Sequence, residues 1–268
     1  MIRTVVIGAA GRMGRLLVAQ VHRDPDLTLV GAAEYSESPE LGKDAGLVAG
    51  IAPIGVNITA DVPALVDNAD AVIDFSLPEG TMAAVGPAMQ NGCCMVIGTT
   101  GLNDEQKEKI RDLADKGGRI LMAPNMSVGV NLLFHLCSKV VPILGPEYDI
   151  EVVEMHHNRK KDAPSGTAVR LGEILAEARG LDYETDTRHG RVGDVGARTK
   201  REIGMHALRG GDVVGDHTVI FAADGERVEL VHKASNRETF AKGALRAVRF
   251  LAGVEAGLYD MQDVLGLR

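Results

Sequence analysis

The chain contains no tryptophan, and only three of its 268 residues are cysteine. It also lacks positive charge: 29 Lys and Arg stand against 37 Asp and Glu, a formal charge of −8 with histidines neutral. Nucleic-acid affinity comes largely from neutralised phosphates, so a chain of this sign is not expected to have a nucleic-acid partner. Cys93 and Cys94 are adjacent and Cys137 is distant. They form neither a metal-ligand spacing nor an even disulfide framework, so no metal site is expected and a reducing, cytoplasmic setting is the simplest one. No uninterrupted apolar run reaches the ~18 residues of a membrane span. The opening MIRTVVIGAAG runs straight into a glycine-rich turn, without a basic leader, apolar stretch and cleavage site. Neither secretion nor a membrane partner is therefore expected.

What remains is an ordinary globular composition, 45% hydrophobic and 25% charged, with an excess of glycine. There are 32 glycines, where an average chain of this length would have about 19. Much of the backbone must therefore turn tightly or approach something closely. The length suggests roughly two modest domains.

The first half alternates strand and helix. Thr4–Ile7 is a short β-branched run ending at Gly8, and Met13, Leu16, Leu17 and Val21 then recur at helical spacing. Residues 27–33 form a second strand after the Asp24-Pro25-Asp26 turn, and 71–75 and 94–97 are further short apolar runs. This grammar predicts a parallel sheet covered on both faces. From about Ile150 it changes. Residues 149–155, 203–209, 218–221 and 227–232 alternate polar and apolar, which predicts a mixed or antiparallel sheet with one exposed face. Helices are predicted from Thr167 to about Arg179 and from Thr239 to about Gly253. Gly180 to Lys200, rich in charge and glycine, reads as a long loop.

The turn Gly8-Ala9-Ala10-Gly11-Arg12-Met13-Gly14 lies between the first strand and first helix, where a dinucleotide pyrophosphate would meet unpaired N–H groups. Its G-x-x-G-x-x-G spacing is a variant of the dinucleotide fingerprint and is weak evidence by itself. Context strengthens it: Glu34 ends the second strand 20 residues after Gly14, where a carboxylate can accept hydrogen bonds from the adenosine ribose. That carboxylate repels a 2′-phosphate and so favours NADH over NADPH, while Arg12 inside the turn keeps NADPH open. Gly98-Thr99-Thr100-Gly101 follows a later strand and belongs at the same edge of the sheet.

The stretch from Glu154 to Thr167, EMHHNRKKDAPSGT, concentrates two histidines, one arginine and two lysines within six residues of an acidic protein. Such a local positive field suits a small anionic substrate. Ser165 or Thr167 can cap the following helix, whose N-terminal N–H groups suit a carboxylate. Histidine titrates near neutrality and lysine can be brought toward it, so the loop holds plausible proton donors. Spacing does not decide which of His156, His157 and Lys160 points inward. Adjacent histidines in a strand face opposite sides, which argues against zinc. His22, His135 and His217 read as surface or satisfied core residues.

Through these motifs the chain resembles the dihydrodipicolinate reductase family nearly end to end. The segments are GAAGRMG (8–14), DFSLPEGT (74–81), IGTTG (97–101), APNMSVGVNLL (123–133), EMHHNRKKDAPSGTA (154–168), GGDVVGDHTVIF (210–221) and HKASNRETFAKGA (232–244). The resemblance implies NAD(P)H-dependent reduction of a cyclic imine dicarboxylate in the diaminopimelate and lysine pathway. It implies nucleotide contacts from Gly8, Ala9, Ala10, Gly11, Arg12, Met13, Glu34, Gly98, Thr99, Thr100, Ala123, Pro124, Asn125 and Met126. It also places an acid–base histidine at His156, a proton-donating lysine at Lys160, and substrate contacts at His157, Gly166 and Thr167.

The same resemblance implies an α/β chain whose Rossmann-type nucleotide domain spans 1–126 and 237–268. A smaller α+β domain with a mixed sheet, spanning 127–236, would bind substrate and build a homotetramer. Hinges are expected near Ser127 and Arg237. Family members that accept both nucleotides often carry arginine after the acidic residue, where this chain has Tyr35.

Two other readings compete. A semialdehyde or homoserine dehydrogenase fits the two-domain plan, but thioester chemistry needs a reactive cysteine, and Cys93-Cys94 open an apolar strand where buried thiols are inert. A non-catalytic nicotinamide sensor has no need of the proton donors in the basic loop.

Overall fold

The computed structural model describes all residues, 1–268. The chain opens with β1 (Ile2–Ile7), α1 (Arg12–Arg23), β2 (Leu27–Ala33), α2 (Ala45–Val48), β3 (Ile58–Thr59), α3 (Val62–Val66), β4 (Ala71–Asp74), α4 (Pro78–Gln90), β5 (Cys94–Ile97), α5 (Asp104–Asp115) and β6 (Arg119–Met122). It continues through α6 (Val128–Leu144), β7 (Asp149–His156), α7 (Gly166–Arg179), α8 (Tyr183–Asp186), β8 (Thr187–His189), β9 (Ile203–Arg209), β10 (Gly215–Ala223) and β11 (Glu226–Ala234). It ends with α9 (Glu238–Leu251), β12 (Gly257–Tyr259) and α10 (Met261–Leu265). These elements form two compact units, Met1–Ser127 with Arg237–Arg268, and Val128–Asn236.

The first unit is a seven-stranded sheet in the order β12-β6-β5-β4-β1-β2-β3, parallel throughout. Parallel strands covered on both sides read as unbroken apolar runs, and every residue of β4 and β5 is buried. One face packs on α1, α9 and α10 through Leu17, Val18, Ala244, Val248 and Met261. The other packs on α4 and α5 through Val85, Ala88 and Ile110. Strand order reverses between β1 and β4, so their carboxyl ends flank the crevice in which such sheets bind ligands.

The second unit is a five-stranded mixed sheet, β11-β10-β7-β9-β8. β10 pairs antiparallel with both β11 and β7, while β7–β9 and β8–β9 are parallel. One face packs on α6 and α7 through Val152, Phe221, Phe134 and Leu171. The alternation in β7 leaves the other face uncovered within this unit, and Leu208 and Val231 lie exposed there. Both expected sheets are thus present.

The segment expected to be a long loop, Gly180 to Lys200, is a correction. It contains α8, whose N-cap Asp182 accepts the Thr185 N–H at 3.0 Å, and β8, an edge strand on β9. Its remainder is pinned by Arg191 and Arg198, which donate to Glu151 at 2.7–3.0 Å. A three-residue strand is too short to show a period, and several of the charges that suggested solvent, Asp186, Arg191 and Arg198, are paired.

Candidate active site

Gly8 follows β1 with φ +75°, and a Cβ there would stand 2.7 Å from the Phe75 carbonyl oxygen. A Cβ on Gly14 would lie 2.0 Å from the Gly8 carbonyl oxygen, so α1 can start this close to β1 only with glycine. The α1 N-cap, Gly11, provides no side-chain acceptor, so no capping side chain occupies the start of the helix. Glu34, immediately after β2, accepts the Ala10 N–H at 2.8 Å through Oε1. Its Oε2 has only a long contact from the Tyr35 N–H, 3.4 Å.

Two cavities flank this turn and share Phe75 and Ser76. One, of about 400 Å³, is lined by Arg12, Met13, Gly98, Thr99, Thr100, Ala123, Pro124, Asn125 and Met126, with Phe240. The other, of about 600 Å³, is lined by Gly8, Gly11, Glu34 and Tyr35, with Leu77 and Gly80. Twelve of the fourteen expected nucleotide residues therefore face one cavity or the other. Ala9 is buried and Ala10 donates to Glu34, so these two shape the turn without lining a cavity.

Sequence reasoning missed the residues that hold the cavities open. Asp74, fully buried at the end of β4, accepts Ser76 Oγ at 2.6 Å, the Ser76 N–H at 3.0 Å, Thr99 Oγ1 at 3.1 Å, and Thr81 Oγ1. Burial pushes its carboxyl above the usual range against the pull of those hydrogen bonds. It thereby ties the loop after β4 to the loop after β5. A Cβ on Gly98 would fall 2.3 Å from the Phe75 ring, so glycine there lets the ring pack directly against the backbone. The DFS triplet carried the signal, but nothing in its spacing showed that the aspartate faces inward.

In the second unit, β7 runs straight into the basic loop. His156, its last residue, is 8% exposed, and its Nδ1 lies 2.6 Å from Glu154 Oε2. Glu154 is 1% exposed and also accepts two N–H bonds from Arg209, at 2.8 and 2.9 Å, and the Ser165 N–H at 3.0 Å. Burial alone raises the Glu154 carboxyl, but the bonds from His156, Arg209 and Ser165 bring it down to about 2. Lys160 Nζ pairs with Asp162 at 2.9 Å and keeps about a fifth of its side-chain surface exposed. His157 follows the strand end, half-buried.

Ser165 is the N-cap of α7, its Oγ accepting the Ala168 N–H at 3.2 Å. Gly166 and Thr167 form the first turn, and a Cβ on Gly166 would touch nothing within 4 Å. His156, His157, Lys160, Gly166 and Thr167 are thus brought to one end of the unit.

Glu154 and Arg209 were not anticipated as site residues. His217, expected to be bland, is a buried neighbour of His156, with ring centroids 5.3 Å apart. Burial, aided by the nearby His156, pushes His217 down to about 3, so it is neutral.

No group of three or more His, Cys, Asp and Glu side chains is placed to hold a metal. The cysteines are buried and free, and burial raises Cys94 to about 11 and Cys137 to about 12. That chemistry does not suit a thioester-forming nucleophile.

A parallel sheet with a glycine turn and cavities at its switch point defines a nucleotide-binding unit of the Rossmann type. The family model for the N-terminus of dihydrodipicolinate reductase matches residues 2–126, and that for its C-terminus matches residues 129–265. This chain belongs to the dihydrodipicolinate reductase family. The 4-hydroxy-tetrahydrodipicolinate reductase of Syntrophotalea carbinolica is 48% identical over 268 residues, covering 100% of both chains. That of Laribacter hongkongensis is 51% identical over 267 residues, 100% of this chain and 99% of the relative. A solved dipicolinate-bound dihydrodipicolinate reductase from Paenisporosarcina sp. TG-14 has a TM-score of 0.76 at 25% identity, covering 98% of each chain. A myo-inositol dehydrogenase from Lactobacillus casei, solved with NAD(H) and myo-inositol, shares the fold at a TM-score of 0.61 and 13% identity, covering 100% of this chain and 91% of its own.

Proposed function

We propose that this chain reduces 4-hydroxy-tetrahydrodipicolinate to tetrahydrodipicolinate on the diaminopimelate route to lysine, taking NADH in preference to NADPH. The observation that carries the reading is the cationic loop after β7. It sets a buried histidine and a lysine next to the N-terminus of α7, in a protein whose other unit has a dinucleotide cradle. The cradle fits: glycines 8, 14 and 98 sit where a Cβ would collide, and the turn leaves the start of α1 open to a pyrophosphate. When bound there, the dinucleotide supplies a hydride.

The overall change takes up one hydride and one proton and releases water. This chain's own work is to hold a dianionic ring and deliver the proton. His156 is the general acid–base group and Lys160 the second proton donor, placed beside a substrate with two carboxylates. His157, with the N–H groups of Gly166 and Thr167, grips a carboxylate where the helix dipole favours negative charge. Glu34 Oε2, not engaged by a short bond, accepts from the adenosine ribose. We further propose a cytoplasmic homotetramer assembled through the uncovered sheet face around Leu208 and Val231.

The test is NADH oxidation followed at 340 nm with enzymatically generated substrate, with dipicolinate as inhibitor. The expected result is turnover, with inhibition competitive against substrate. A protein that binds NADH but shows neither effect would be a sensor, and the proposal would fall.

A further inference from the structure

We infer that Glu154 is a positioning residue for the acid: it fixes the proton of neutral His156 on Nδ1, leaves Nε2 as the nitrogen that exchanges protons, and joins His156 to the helix start beside it. This inference rests on the reading of His156 given above. It deepens that reading by naming what makes the histidine serviceable.

Glu154 and His156 are two residues apart on β7 and so project from the same face of the sheet. Both Glu154 oxygens are saturated. Oε2 faces His156 Nδ1 at 2.6 Å and Arg209 Nη1 at 2.8 Å, and Oε1 receives Arg209 Nη2 at 2.9 Å and the Ser165 N–H at 3.0 Å. Three of these four partners can only donate, so the carboxylate is ionised and acts only as an acceptor. The fourth contact is then a hydrogen bond only if His156 Nδ1 carries the hydrogen, which settles the tautomer. Nε2 makes no hydrogen bond within the protein. It lies against Gly215, where a Cβ would stand 2.9 Å from it, so glycine keeps that edge of the ring clear.

The same carboxylate reaches the rest of the loop. Arg209 Nη2 donates also to the Asp162 carbonyl at 2.7 Å, and the Asp162 side chain pairs with Lys160 at 2.9 Å. Through Ser165 it holds the α7 N-cap. One buried group thus orients both proton donors and the carboxylate cradle. The groups against the His156 ring are Glu154 on β7 and neutral His217 and Gly215 on β10; Arg209 on β9 and Ser165 at α7 reach it through Glu154, and Lys160 in the loop lies near enough to act on His217. On β11, His232, paired with His217 in register, is also driven toward neutrality by burial. Glu154 is therefore the only anion in contact with the ring.

In Glu154→Gln, kcat should fall about 10- to 100-fold, with the Kd for NADH unchanged. Glu154→Asp, which restores the charged acceptor, should recover part of that loss. A folded Glu154→Gln protein with wild-type kcat overturns the inference.

Histidine-labelled wild-type protein gives an answer that needs no variant to fold. The 15N spectrum of neutral His156, assigned by its loss in His156→Gln, should show the Nδ1–H tautomer, and an Nε2–H tautomer overturns the inference. Full turnover by His156→Gln would instead refute the reading of His156 as the acid, leaving the tautomer result untouched.

Discussion

A carboxylate at position 34 does two jobs. Oε1 braces the glycine turn through Ala10, and in the proposed function Oε2 is the oxygen that accepts from a ribose. At about 4 Å a second negative charge would cost ~1 kcal/mol in water and ~4 kcal/mol near a protein surface. We therefore predict a kcat/KM for NADH at least about tenfold above that for NADPH at low salt, and a ratio at least threefold smaller in Glu34→Gln; equal constants in the wild type would refute the charge argument. Asp74 is a different kind of residue. Its four hydroxyl and amide donors converge on one fully buried carboxylate, and those of Thr81 and Thr99 are themselves buried, so Asp74→Ala leaves these two without the oxygen they share. A loss of about 2–4 kcal/mol in urea unfolding is expected, together with a raised KM for NADH, because the loops after β4 and β5 line the same cavity. Glu34 was legible in the sequence because its spacing from the turn is fixed by one strand and one helix. Glu154 was not: its partner Arg209 lies 55 residues away, and only strand pairing brings the two together.

Among the elements, the long apolar or alternating strands were readable because their burial pattern repeats along the chain. β3, β8 and β12, of two or three residues each, carry no period, and α8 shows in sequence only as an aspartate cap among charges. β5 and α6 place Cys94 and Cys137 where burial holds their thiols far above neutrality. We expect native protein at pH 8 to resist iodoacetamide at both positions and urea-unfolded protein to react at both, read by mass spectrometry. Rapid labelling of Cys94 in the native state would reopen thioester chemistry. The α7 N-cap is a separable contribution. Ser165→Ala should lower stability by about 1 kcal/mol, visible as a reduced Tm, and should weaken dipicolinate binding more than NADH binding, since the cap shapes only the second unit.

For the whole molecule, the two units should answer acid differently. In the second unit, burial raises Glu151 but bonds from Arg191, His206 and Arg198 bring it down to about 2, matching Glu154. Folded pKa values below the usual 4.5 mean stability that is present above pH ~4.5 and is lost as pH falls toward 2. In the first unit Asp74 has the opposite sign. Its raised folded pKa means that the cost of ionising it in the interior disappears on acidification. Hydrogen exchange at pH 3 against pH 6 should therefore show β7 and β9 losing protection before β4 and β5; simultaneous loss would contradict the assignment. The return of α9, β12 and α10 to the first unit was foreseeable only from family resemblance, since periodicity carries no information about which sheet a late helix joins. The central claim, that the loop at 156–167 delivers the proton, is tested most directly in the protein carrying both Lys160→Ala and His156→Gln. Its kcat should fall at least about 100-fold while its Kd for NADH stays at the wild-type value; turnover at the full wild-type rate would contradict the account.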